Sequence, residues 1–359
     1  MRWETDSAPV SDASAQQTAA GLGADGPAGG RARFGGDDDA AERSLHQFLG
    51  SPQVEQATLL DQLGPADLQM WNRLISRRTE SGNQRRIEIA NTVLRCAGPR
   101  VLERVGRQLP VLEPNVFTNH VIRTNSIPGW KSTAHLPLYG PSRGPDVQTD
   151  INAGATRNCD FHAAVAAVAL TSPELLKQRI RENTNGTFSV AFFRENGDEA
   201  SVTVTDRMPW SAGRYLNARP GDRPCKWAMV YEKAYAQLNG GYALIEGRED
   251  RSSLRELTGD AVTERGTDSC HLVDVADHLD AGAAMIATTW VFPTWVKNVE
   301  VLSMHAYAIK SVDARRSPPT VTVINPEGRC SFVPPTMRLT ESEWLRYFAR
   351  VRSVAVSQP

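Results

Sequence analysis

Apolar residues hardly recur at the start of the chain. Residues 1–43 are mostly Ala, Gly, Asp and Ser, closing on Gly35-Gly36-Asp37-Asp38-Asp39. They offer too little apolar surface to offset the entropy of ordering, so a disordered segment is expected. From Ser44 the pattern changes to steps of three and four: Leu45, Phe48 and Leu49, then Leu59, Leu60 and Leu63, then Leu68, Trp71, Leu74 and Ile75. That spacing predicts helices with one buried face. The pattern continues through Ile87, Ala90, Val93 and Leu94, breaks at Gly98-Pro99 and resumes with Val101, Leu102, Val105 and Leu109. Residues 44–114 thus read as a helical accessory segment. Between Pro110 and Thr149 the chain is rich in Pro, Gly and Asn, and loops are expected.

A polar loop containing Gly154 then ends at Asn158, and Ala163 to Leu170 is a run of Ala, Val and Leu that predicts a helix buried on most faces. Cys159 falls on its first turn, where unpaired N–H groups and the helix dipole favour a thiolate. A lone Cys in such a place is more often a small core residue than a nucleophile, so partners must be found elsewhere. Ser172-Pro173 marks the next helix start. Phe188, Val190 and Phe192 alternate, Asn196-Gly197 supplies a tight turn, and Val202 and Val204 alternate on the return, which is a hairpin. A helix is expected from Trp227 to about Leu238, ended by Asn239-Gly240-Gly241. The last third reads as strands over 284–292, 306–313 and 320–324, followed by a closing helix over 339–350 signalled by the capping box of Thr340 and Glu343.

Charge adds little. Lys plus Arg (40) balances Asp plus Glu (41), so neither a nucleic-acid nor a membrane-surface partner is indicated. The five cysteines, at 96, 159, 225, 270 and 330, lack paired spacing, which argues against a disulfide framework or a zinc site and for a reducing compartment. With no apolar leader and no long apolar run in the sequence, a cytoplasmic protein without a membrane span is expected.

Two residues can serve a Cys159 nucleophile. His305 stands at the start of one alternating strand and Asn325 at the end of the next, and antiparallel pairing would bring those ends together. A neutral imidazole held by an amide oxygen is what a thiol nucleophile needs: a base for its proton and a group that fixes the tautomer. Taken singly, His305 also fits a half-exposed sheet position and Asn325-Pro326 a plain turn.

Six segments follow one another in order: Asp150-Ile151-Asn152-Ala153-Gly154-Ala155 with Cys159, Asp206-Arg207-Met208-Pro209, Tyr231 to Gly240, Leu257-Thr258-Gly259, His305-Ala306-Tyr307, and Asn325-Pro326 with Gly328. Together they resemble the catalytic core of the calpain family of papain-like cysteine peptidases. The resemblance implies an α+β fold with two lobes. Residues 115–246 would form the first, carrying the nucleophile helix, and 247–356 the second, an antiparallel sheet lobe with His305 and Asn325. It implies an endopeptidase acting on protein or peptide substrates through a Cys159–His305–Asn325 triad, with no required cofactor.

Departures lie close to the chemistry. The family's oxyanion Gln corresponds to Ala153, leaving Asn152 and Asn158 as nearby amides that could support the oxyanion. The Trp after the Cys is Asp160, whose charge would raise the thiol's pKa, and the Trp that shields the His–Asn bond is Glu327. Asp150 matches a calcium ligand of the first lobe, and Asp222 could supply a second carboxylate. The acidic segment of the second-lobe calcium site is replaced by the few residues from Arg329 to Met337. A catalytically degenerate, protein-binding relative is the alternative reading, and an acyl transferase with the same Cys–His layout is a third, disfavoured because it would more usually carry an Asp orienter.

Overall fold

The computed structural model describes residues 32–356 apart from 79–82, 125–126, 142, 155, 223, 249–252, 292–300 and 329–332. Of the segment expected to be disordered, residues 1–31 lie outside the described residues, but 38–43 are helical. Helix α1 (Asp38–Gly50) starts there because Asp37 accepts the N–H groups of Asp39 and Ala40 at 2.9 and 3.2 Å, and Asp38 and Asp39 complement the positive helix end. The acidic run is a helix start, not part of a tail. α2 (Gln53–Gln62), α3 (Pro65–Arg78), α4 (Asn83–Cys96) and α5 (Pro99–Gln108) follow. They enclose their own core, in which Phe48 packs on Trp71 with ring centroids 5.2 Å apart, alongside Ile75 and Val93.

Side-chain amides attach this helical unit to the rest. Asn91 donates to the Ser201 carbonyl at 2.7 Å and accepts from the Thr203 N–H at 2.6 Å. Asn185 donates to the carbonyls of Leu94 and Ala97 at the end of α4, and Asn83 donates to those of Gln237 and Leu238.

The stretch expected to be loops contains short elements: α6 (Asn119–Thr124), β1 (Gly129–Ser132) and α7 (Val147–Asp150). α8 (Cys159–Thr171) and α9 (Pro173–Arg179) come next, then β2 (Ile180–Glu182), β3 (Phe188–Phe193) and β4 (Glu199–Val204), an antiparallel sheet in that order. Gly197, at φ 87°, makes the expected hairpin turn. β5 (Arg207–Ser211) pairs with β1 and with β6 (Arg214–Tyr215), and α10 (Trp227–Asn239) ends on Gly240 in the left-handed region at φ 97°.

The final part comprises α11 (Ser253–Thr258), β7 (Thr263–Gly266), α12 (Leu272–Asp280), β8 (Ala283–Thr289), β9 (Ala306–Asp313), β10 (Thr320–Ile324), β11 (Thr336–Thr340), α13 (Glu341–Tyr347) and β12 (Phe348–Ala355). Its six strands form one antiparallel sheet in the order β11-β10-β9-β8-β12-β7. Both faces of the central strands are covered. Ala284, Ile286, Ala306 and Ala308 face α8 and the core it shares with α10, whereas Met285, Ala287, Tyr307 and Ile309 face a core shared with Leu272, Val275 and Trp344. The expected closing helix stops at Tyr347, and β12 runs along β8 instead. The unpaired edge of β8 supplies a ladder for Val351 and Val354, and that tertiary pairing overrides the local helical reading. The strand expected over 284–292 ends at Thr289, and Phe292 lies outside the described residues.

Candidate active site

α8 sets one wall of the site. Its Ala and Val side chains let it lie buried between α10, α11 and the face of β8 and β9, with Cys159 as its first residue. The preceding loop runs tight against residues 216–217: a Cβ on Gly154 would sit 1.9 Å from the Asn217 carbonyl oxygen. Only glycine allows that approach.

The opposite wall comes from the sheet. His305 precedes β9 and is pinned by Thr289, whose Oγ1 accepts the His305 N–H at 3.0 Å. Asn325 follows β10, and its Oδ1 accepts from His305 Nε2 at 2.9 Å and from the Glu327 N–H at 3.1 Å. Since an amide oxygen can only accept, Nε2 carries the proton and Nδ1 is the basic nitrogen of the neutral ring. The two walls are joined where the Ala153 N–H donates to the Pro326 carbonyl at 2.8 Å. Cys159 and His305 line one cavity of about 440 Å³, with Thr156, Arg157, Glu246 and Glu327 among its other walls.

Burial governs the charge states. It pushes the Cys159 thiol up to about 11; the backbone N–H groups of Ala306 and Asp160 pull the other way, and the charges of Asp160 and Glu327 add to the rise. His305 is driven down to about 4, mainly by burial, with the Asn325 bond opposing and the Arg157 charge assisting. At neutral pH the pair is therefore thiol and neutral imidazole. The thiolate expected from the helix N-terminus is outweighed by desolvation.

This has a stability consequence. Between pH 6.5 and about 4 the unfolded chain protonates His305 while the folded chain does not, so stability falls as pH drops through that window. About 3 kcal/mol is at stake, from about 1.4 kcal/mol for each pKa unit. His305→Gln should flatten the denaturant midpoint against pH over that range; an unchanged slope would show that other groups set it.

Asp160, in the place of an expected Trp, is bound across the molecule. Arg352 of β12 donates to it at 2.9 Å and Ser253 of α11 at 2.7 Å. Burial still raises its pKa against both partners. Glu327 is likewise raised by burial and lowered by Arg157.

Neither expected supporting amide reaches the cavity. Asn158 turns inward and donates to Glu232 at 2.8 Å, on the same carboxylate oxygen that meets His162 Nε2 at 3.0 Å. Glu232's other oxygen accepts the Ala218 N–H at 2.7 Å. This buried set has a stronger claim on the Asn158 amide than open solvent does. Asn152 is not among the cavity's lining residues, and its carbonyl accepts from the Arg219 N–H. His162 and Glu232 escape a sequence reading because the two lie 70 positions apart and nothing local pairs them.

Asp150, at the end of α7, accepts from Trp227 Nε1 at 2.8 Å, the Asp146 N–H at 2.9 Å and Thr149 Oγ1 at 2.9 Å. Its carboxylate is thus committed to protein donors, and Asp222 is exposed. Among the described residues no group of three or more His, Cys, Asp or Glu is arranged to hold a metal ion. No helix among the described residues is long and apolar enough to cross a membrane.

Residues 143–347 match the family described as calpain family cysteine protease. Over 121 residues the chain is 32% identical to the calpain-2 catalytic subunits of Homo sapiens and Rattus norvegicus, and the match takes in 32% of this chain and 17% of each of those proteins. Calpain-8 of Mus musculus is 30% identical over 121 residues, with the same coverage of 32% and 17%. The aligned region is thus a small part of those relatives' length. With more than half of its residues inside the family match, the chain belongs to the calpain family of cysteine proteases.

Proposed function

We propose that this chain is an endopeptidase that cleaves exposed stretches of protein through Cys159, His305 and Asn325. The observation that carries the reading is the 2.9 Å bond from His305 Nε2 to Asn325, which leaves Nδ1 as the base in a cavity shared with the Cys159 thiol. Cys159 Sγ attacks the scissile carbonyl carbon as its proton passes to His305 Nδ1, forming the C–S bond. Collapse of the tetrahedral intermediate breaks the C–N bond, and Nδ1 returns the proton to the leaving amine. Water then attacks the thioester, losing a proton to the same nitrogen, and the acid product and free thiol are released. The N–H of Cys159, one of the first-turn groups of α8 without an intrahelical acceptor, is the donor assigned here to the developing oxyanion. With Ala153 in place of an amide donor, turnover should be low.

The test is hydrolysis of an unstructured protein by the full chain, compared with Asn325→Ala. That change removes one hydrogen bond that fixes the ring, worth about 1.4 kcal/mol, so kcat/KM should fall roughly tenfold. The acid limb of the pH profile should also shift. If the wild-type chain neither cleaves the substrate nor forms a thioester with an activated acyl compound, the peptidase reading fails. A protein-binding role would then remain.

A further inference from the structure

A second cavity, of about 580 Å³, shares no lining residue with the active-site cavity. It lies between α5, which contributes Gly106 and Arg107, and the body of the protease, which contributes Thr187, Arg207 and Lys226. Lys226 is only 5% exposed. Its ammonium is 3.4 Å from the Thr133 carbonyl and 4.9 Å from the centre of the Phe188 ring, and among the described residues no carboxylate lies within ion-pair distance of it. Arg207 also lacks a carboxylate partner among the described residues, and Nη2 reaches only the Trp130 carbonyl at 3.4 Å. Gly106 leaves room for that guanidinium: a Cβ there would stand 3.2 Å from Nη1.

The carboxylates lining the same cavity do not neutralise these two charges. Glu103 pairs with Arg107 at 3.5 Å, Asp206 accepts from Ser132, and Glu182 is exposed. A buried ammonium has three donors to satisfy and is costly to hold without a counter-charge. The cavity is also of a size that takes small ligands.

We propose that this cavity is a binding site for a small oxyanion, a phosphate or carboxylate compound, held by Lys226 and Arg207. Its ligand bridges α5 and β5, and so fastens the helical unit to the protease. A phosphate would use the Arg207 fork and the Lys226 point charge together; a polycarboxylate would use them one group each.

The test is a thermal-unfolding titration of the full chain with inorganic pyrophosphate and with citrate, at fixed ionic strength in metal-free buffer. At least one should raise the melting temperature saturably, and which one does so separates the phosphate from the carboxylate source. Lys226→Met keeps the stem and removes the charge, so the rise should vanish without loss of basal stability. Arg207→Gln, a second variant should the first fail to fold, should weaken the apparent affinity at least tenfold. No saturable rise with either compound, or an equal rise in a folded variant, would overturn the proposal.

Discussion

Cys159→Ala should abolish hydrolysis, and His305→Ala should lower kcat/KM by about 10²- to 10⁴-fold, the range for loss of a positioned general base. The two variants fail for different reasons. Without the sulphur no acyl-enzyme forms. Without the imidazole the thiol is intact, but its proton has no acceptor, and a thiol at about 11 is scarcely ionised at pH 7. His305→Ala should therefore recover activity as pH rises past 9, where solvent strips the proton, whereas Cys159→Ala should stay inactive at every pH. The measurement is a kcat/KM profile from pH 5 to 10 with folding verified at each point. A variant lacking His305 that kept the wild-type profile would remove His305 from the reaction.

Arg352→Met should destabilise the chain by roughly 3–5 kcal/mol, the usual cost of removing one partner of a buried ion pair. The Arg352 and Asp160 side chains are 8% and 11% exposed, so water cannot replace the lost guanidinium. Asp160 escapes part of the penalty by taking up a proton, which its burial already favours. The deficit should accordingly shrink at acid pH. Because Asp160 directly follows Cys159, its protonation should also ease thiol ionisation. Asp160→Leu combined with Arg352→Met should restore most of the stability, since two apolar groups of similar volume need no counter-charge. Denaturant midpoints of the wild type and the two variants at pH 5 and 7 decide it, and a single-variant loss under about 1 kcal/mol would mean that water enters the site.

The parts of the fold legible in sequence are those whose cause is local. The buried Ala-rich run gives α8, Asn196-Gly197 gives the β3–β4 turn, and Gly240 gives the end of α10. His305 and Asn325 could be placed near each other because adjacent antiparallel strands fix which ends meet. What escaped depends on distant partners. β12 is a strand because β8 pairs with it, and Asp160 is neutralised by a residue 192 positions away. Asn158 has the right residue type in the right place for oxyanion support, yet its amide is captured by Glu232, 74 positions on. Likewise, the thiol's ionisation is not legible in sequence, because a helix terminus is visible there and the depth of burial around it is not.

β4 is the outer strand of its sheet, and Asn91 of α4 occupies the backbone groups of Ser201 and Thr203 that a further strand would use. The helical unit is therefore an edge guard, and without it β4 would offer a template for strand addition from another chain. Covering the edge with a single Asn confines the guard's specificity to one amide, so the sequence of β4 is free to vary wherever only its backbone is read.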